Sequence, residues 1–256
     1  MRMSKLALML VVAAAAAVPL EAKTLAKPGV AIATAVASAG RSADNVKLDA
    51  SRKPAQVLQF FGLRRGMQVV DLFGANRYWA EIMAPVVGPR GHVDVWEPEQ
   101  FADADTRKAF DEFAAKQTNV SLIVNPIDKP QLAKNRYDFA MLNLNYHDLY
   151  WTSEKYKVTT HDPAAWLRTL YAAMKHGGTV GVIDHVASPN RDTRATVDTL
   201  HRIDPEVLKA DFRRAGFRLA ASSSMLRNSA DDHSLLVFND KIRGKTDRVV
   251  YRFRKP

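Results

Sequence analysis

From Met67 onward the chain alternates short apolar runs with stretches whose apolar residues recur every three or four positions. Short runs bounded by Gly, Pro, Asn or Asp read as strands, and the periodic stretches read as helices. Residues 67–72, 92–96, 120–124, 139–144 and 179–184 are predicted strands on this basis. Helices are predicted at 78–87, closed by Gly88, and at 105–116, where Ala109, Phe110 and Phe113 cluster. The best-signalled helix starts with Asp162 as cap and Pro163 in its first turn. Its residues Leu167, Leu170, Tyr171 and Met174 fall on one face, and Gly177-Gly178 ends it. Asp204-Pro205 opens a similar helix with Val207, Leu208 and Phe212 inward and Gly216 as its stop. Residues 217–223, 234–238 and 248–253 complete the strand-like runs, with no helix between them.

This alternation predicts an α/β fold, a mostly parallel sheet with helices on both faces. The closing strands predict an antiparallel edge. Upstream, the Ala-rich stretch 31–39 and the segment opening at Pro54, with Val57, Leu58 and Phe61 on one face, predict helices. A polar stretch from Arg41 to Arg52 lies between them. Residues 23–62 read as an N-terminal helical cap on an α/β domain formed by residues 63–256. Residues 1–22 have the pattern of a secretory signal peptide: Arg2 and Lys5, an apolar run over 6–18, then Pro19 and Ala22. The run is shorter than the ~20 residues that span a bilayer, so no stable membrane insertion is expected after cleavage. A periplasmic or secreted bacterial protein is the expectation, cleaved after Ala22 or Ala26.

Composition narrows the chemistry. With no cysteine among 256 residues, disulfides, thiolate metal sites and Cys nucleophiles are excluded. The 37 Lys and Arg exceed the 27 Asp and Glu, a net charge of +10 that would suit nucleic acid, anionic lipid or a phosphorylated ligand. Export removes the chain from most nucleic acid, so the excess reads as a solubilising surface and the expected partner is a small molecule.

Open α/β sheets bind ligands outside the carboxyl ends of their strands, near the point where strand order reverses. Asp71 ends the first predicted strand, Glu97 follows the second, His147-Asp148 follows the fourth, and Asp184-His185 ends the fifth. His147, Asp148, Asp184 and His185 are therefore the candidate catalytic residues, since a neutral imidazole takes protons near pH 7. His147, Asp148, His185 and His201 also carry ligand chemistry for zinc, copper, nickel or iron. No compact spacing such as H-E-x-x-H accompanies them, and no metal centre is expected. His92, His161 and His176 read as capping or solvent-facing residues, and Asp231-Asp232-His233 as a surface turn. Tyr150 and Trp151 read equally as a pocket wall or as core.

An acid after the first strand, a loop and helix, and an acid at the end of the next strand resemble class I S-adenosylmethionine-dependent methyltransferases. Six segments resemble a family of bacterial predicted methyltransferases, many of them exported. They are Arg65-Gly66-Met67-Gln68-Val69-Val70-Asp71, Tyr146-His147-Asp148-Leu149-Tyr150, Gly177-Gly178 through Asp184-His185, His201-Arg202-Ile203-Asp204-Pro205, Ala215-Gly216-Phe217 and Gly244-Lys245-Thr246-Asp247-Arg248. The resemblance implies a Rossmann-like, seven-stranded sheet with its last strand antiparallel. It also implies methyl transfer from S-adenosylmethionine to a small-molecule acceptor. Asp71, Gly74, Ala75, Arg77 and Tyr78 would then pass under the methionine part of the cofactor, Glu97 would accept from the ribose hydroxyls, and Asp128 would approach the adenine. The family's loop reads D-x-x-x-G-x-G-Y, and this chain has Ala75 and Arg77 at the two glycine positions. Arg77 is disfavoured if the backbone there needs a positive φ. Three readings stay open: an active methyltransferase, a small-molecule-binding protein that kept the fold and lost the cofactor, and a metal-dependent site.

Overall fold

The computed structural model describes residues 28–189 and 192–256. The expected signal peptide lies outside the described residues. The chain begins with α1 (Pro28–Val36), α2 (Ala43–Lys47), α3 (Asp49–Arg52) and α4 (Pro54–Phe61). It continues through β1 (Gln68–Leu72), α5 (Ala80–Val87), β2 (His92–Pro98), α6 (Ala104–Ala114), β3 (Val120–Asn125) and β4 (Tyr137–Asn143). A 3-10 turn (His147–Leu149) precedes α7 (Pro163–Ala173) and β5 (Met174–His185). Then come α8 (Thr193–Leu200), α9 (Pro205–Arg214), β6 (Arg218–Ser223) and β7 (Arg248–Arg254).

The strands form one seven-stranded sheet in the order β3-β2-β1-β4-β5-β7-β6. Strands β1 to β5 pair in parallel, and β7 runs against both β5 and β6 at one edge of the sheet. The expected α/β architecture is present, with the last strand antiparallel. Each face of the sheet buries its own apolar layer. One includes Leu58, Phe61, Ile82, Val95 and Met141, the other Leu72, Trp96, Leu142, Trp166 and Phe212.

Helix starts follow the capping chemistry in the sequence. Asp162 accepts the Ala164 N–H at 2.8 Å, Asp204 the Glu206 N–H at 2.8 Å, and Asp103 the Thr106 N–H at 2.7 Å. Each carboxylate satisfies a donor that the first helical turn leaves open. The cap helices pack on the sheet through α4. A Cβ added at Gly181 would lie 2.5 Å from the Phe61 ring, so only glycine lets α4 approach β5 this closely.

Three expectations change. Residues 234–238 form turns rather than a strand. Met174 begins β5 instead of closing the helix, because its backbone is already extended (φ −73°, ψ 140°). The polar stretch 41–52 holds α2 and α3, and α8 was invisible because Val197 is its one buried residue. Among the described residues no helix is long and apolar enough to cross a membrane.

Candidate functional site

Strand β1 lies between β2 and β4, so the chain leaves it in opposite directions on its two sides. A cleft of about 910 Å³ opens over the carboxyl ends of the strands at that switch point. Phe73, Ala75, Asn76, Arg77 and Glu97 line one wall, and Asn143, Asn145, His147, Asp148, His185 and His201 line the other.

On the β1–β2 wall, Asp71 is buried with its Oδ2 lacking a hydrogen-bond partner. Burial and the neighbouring Glu97 carboxylate push its pKa up to about 8, against the pull of Arg52. Glu97 Oε2 accepts the Ala75 N–H at 2.9 Å, and burial outweighs that bond to raise Glu97 to about 7. A Cβ at Gly74 would sit 2.6 Å from the Asp71 carboxyl, so this loop can approach Asp71 only as glycine. Phe73 and Arg77 occupy the left-handed region at φ 56° and 65°, whereas Ala75 does not. The strain anticipated at Arg77 is therefore present, and Ala75 fits its place.

Of the residues expected to hold the cofactor, Ala75, Arg77 and Glu97 line the cleft, Asp71 and Gly74 lie just behind it, and two lie elsewhere. Tyr78 does not line the cleft: its hydroxyl donates to Asp49 Oδ1 at 2.8 Å and its ring lies 4.2 Å from the Arg52 guanidinium. It ties the cap to the loop. Asp128 is exposed and outside the cleft lining. Arg52 was missed by sequence reasoning. It reaches the cleft from α3 with a buried Nη1 that has no hydrogen-bond partner. Nothing in its polar surroundings marks it in the sequence.

On the β4–β5 wall, Asp184 is fully buried at the end of β5 and organises the others. It accepts the His147 Nδ1–H at 2.7 Å, the His147 backbone N–H at 2.9 Å and the His185 backbone N–H at 2.8 Å. The Nδ1 bond fixes the His147 ring, leaving Nε2 3.3 Å from Asp148 Oδ1. The same oxygen is 3.6 Å from His201 Nδ1, while Asn145 Nδ2 donates to the other Asp148 oxygen at 3.1 Å. Burial alone would lower the His147 pKa, but the Asp184 and Asp148 carboxylates raise it to about 9. Burial works against Asp148 as well, and the His147 and His201 rings hold it below the usual carboxylate range. His185, bonded through Nδ1 to Thr246 Oγ1 at 2.7 Å, is driven well below its ordinary value by burial and the neighbouring His147 and Arg248 charges. All four candidate catalytic residues thus meet at one wall. His201 joins them from the left-handed C-cap of α8 at φ 49°.

The acid-rich turn at 231–233 is partly internal. Asp231 is buried and pairs with Arg202 through two bonds of 2.9 and 3.0 Å, so only Asp232 of this group behaves as a surface acid. His161 is buried too, rather than solvent-facing. Trp151 lines the cleft, while Tyr150 donates to the buried Asp211 and belongs to the core.

No family model matches the chain, and no curated protein does. Solved structures do. The chain is similar to an S-adenosylmethionine-dependent methyltransferase from Aquifex aeolicus, 17% identical over 90% of this chain and 100% of that one, with a TM-score of 0.57. It is also similar to an S-adenosylmethionine-dependent methyltransferase from Mesorhizobium loti, 16% identical over 81% of this chain and 99% of that one, TM-score 0.53. The fold is that of class I methyltransferases. The cyclase SpnF shares it at 14% identity and a TM-score of 0.59, covering 90% of this chain and 93% of that one. A class I methyltransferase fold therefore does not by itself choose a reaction, and the chemistry has to be argued from the cleft.

Proposed function

We propose that the protein is a class I methyltransferase that transfers a methyl group from S-adenosylmethionine to a small-molecule acceptor. The observation that carries this reading is one cleft with two unlike walls. The β1–β2 wall holds Arg52, whose buried Nη1 is short of a partner, beside Glu97, and behind it lies Asp71 with an unpaired Oδ2 against Gly74. The opposite wall holds the Asp184–His147 pair.

These residues fit the cofactor. Glu97, at the end of β2, offers carboxylate oxygens to a ribose diol, and Arg52 and Arg77 supply positive charge for an α-carboxylate. When bound, the cofactor supplies an electrophilic methyl group. The protein's share is placement: His147 Nε2 and Asp148, held by Asp184 and Asn145, offer hydrogen bonds to the acceptor heteroatom. Trp151 and Tyr156 add aromatic surface to the cleft lining for an apolar part of the acceptor. Methyl transfer depends above all on such proximity and orientation.

Thermal melts with S-adenosylhomocysteine test this reading. A ligand at a hundredfold excess over its dissociation constant stabilises the native state by about 2.7 kcal/mol. An upward shift is expected in the native chain and none in Glu97→Ala. Because burial raises Glu97 to about 7, the shift should grow from pH 6 to pH 8 as the carboxylate ionises. One observation favours the second reading, a binding protein that lost the cofactor: Arg77 at φ 65° where the resembling family has glycine. A shift seen only in Arg77→Gly would select it.

The reading places this chemistry outside the cytoplasm, after removal of residues 1–22. Mass spectrometry of the exported protein is expected to find no peptide from residues 6–18. An intact one in the mature form would overturn the cleavage.

A further inference from the structure

We propose that His147, Asp148 and His201 form a binding site for a divalent first-row transition metal ion, with zinc as the fitting case. The proposal does not depend on methyl transfer. One ring nitrogen each of His147 and His201 and an Asp148 carboxylate oxygen all lie within 4.8 Å of one another. Two of the separations are 3.3 Å, from His147 Nε2 to Asp148 Oδ1, and 3.6 Å, from His201 Nδ1 to the same oxygen. Ligands about 2.0–2.1 Å from a tetrahedral zinc ion stand about 3.3–3.4 Å apart. The third separation, between the His147 and His201 donor atoms, lies within 4.8 Å, so a rotation of the His201 side chain toward His147 completes the set.

The surroundings of the three donors are those of a built site. His147 gives its Nδ1–H to the fully buried Asp184, which fixes the ring and leaves Nε2 as the ligand atom. Asn145 holds the second Asp148 oxygen at 3.1 Å, turning Oδ1 toward the two imidazoles. The His201 backbone is left-handed at φ 49°, a strained conformation for a residue with a side chain, and it brings the ring to 5.5 Å from that of His147. Charge balance points the same way. Metal binding releases the proton from its imidazole ligands, and a dication then offsets the Asp184 and Asp148 carboxylates. All three ligands line the cleft, so a fourth position stays open to water or to the acceptor. Three protein ligands plus one open position is the pattern of a catalytic rather than a structural zinc site. Two imidazoles and a carboxylate also exclude magnesium and calcium, which take oxygen donors.

In the metal-loaded protein the open position would hold an acceptor oxygen or nitrogen beside the face where methyl transfer is proposed. The ion then supplies the positive charge on this wall.

Titration of chelator-treated protein with Co2+, read by its visible absorption and by calorimetry with Zn2+, tests the site. One equivalent is expected to bind, with affinity reduced at least a hundredfold in His201→Asn and in Asp148→Asn. Asparagine tolerates the left-handed backbone at position 201, so that variant should keep the native melt and circular dichroism. His176→Ala, at an exposed histidine remote from the cluster, should bind as the native chain does. Absence of saturable binding, or one-equivalent binding that both His201→Asn and Asp148→Asn leave unchanged, overturns the proposal. Metal binding with no response to S-adenosylhomocysteine would leave this site standing and remove the methyltransferase reading; the converse would do the opposite.

Discussion

Replacing Asp231 with Ala is expected to cost about 3–5 kcal/mol, the range for removing one partner of a buried ion pair. Arg202 is 0% exposed, and its guanidinium spends two bonds on Asp231 and the rest on the Val186 and Leu235 carbonyls. Without Asp231 the charge stays in the interior with half its partners. The same carboxylate accepts the Asp247 N–H at 2.7 Å and the His233 N–H at 3.1 Å, so two more donors are orphaned. The damage reaches the cleft through the chain. Arg202 follows His201, and Asp247 follows Thr246, the partner of His185. Urea unfolding should show a lower midpoint with an unchanged slope. The double replacement Arg202→Met with Asp231→Leu should recover only the share due to the stranded charge, since the Asp247 and His233 N–H groups and the Val186 and Leu235 carbonyls stay without these partners. A single-variant cost under about 1 kcal/mol would contradict the assigned role.

The second large effect is the part of stability that Asp71 makes decline as pH rises, separate from the contributions of His147, raised to about 9, and of His185, which is driven down and acts with the opposite sign. Burial and Glu97 raise its folded pKa to about 8 from the ordinary 3.8. Between those values the native chain holds a proton that the unfolded chain has released. Stability contributed by such a raised group is full below the unfolded pKa and is lost as pH climbs through the folded one. At about 1.4 kcal/mol per pH unit the accumulated difference is on the order of 5 kcal/mol by pH 8. Glu97, raised to about 7, adds in the same direction. The depressed carboxylates, Asp49, Asp148 and Asp247, act with the opposite sign, but their contribution is complete above their unfolded pKa and leaves the window from pH 5 to 8 undisturbed. Asp71→Asn keeps the shape and drops the titration. It should match the native chain near pH 5 and exceed it by several kcal/mol near pH 8, read from chemical denaturation at each pH. A difference that stays flat across that range would show that Asp71 is solvated in solution.

Both effects depend on contacts of very different legibility. The parallel half of the sheet could be read from the chain because strand and helix periods alternate cleanly there. Asp162, Asp204 and the glycines after the helices mark ends by local chemistry that needs no tertiary partner. The strand-end rule then brought Asp71, Glu97, His147 and Asp184 to one end of the strands; Glu97, His147 and His185 line the cleft, and Asp71 and Asp184 lie buried behind it. The positive φ at Arg77 was suggested by the resemblance alone, whose loop carries glycine at that position.

What the sequence left open was decided by contacts between distant segments. Thr246 meets His185 across 61 residues, and Asp231 meets Arg202 across 29, because β7 returns between β5 and β6 and carries the preceding loops over the cleft. Arg52 arrives from the cap, and His201 is aimed at Asp148 by the left-handed end of α8, a helix with too few apolar residues to announce itself. Tyr78 and Asp128 went the other way, one turned toward Asp49 and one out to solvent. Periodicity and capping are local, so the sequence alone determines the elements and which strand ends carry acids and histidines. The closure of a three-donor cluster depends on distances of a few ångströms between non-neighbouring segments, and only the packed sheet sets those.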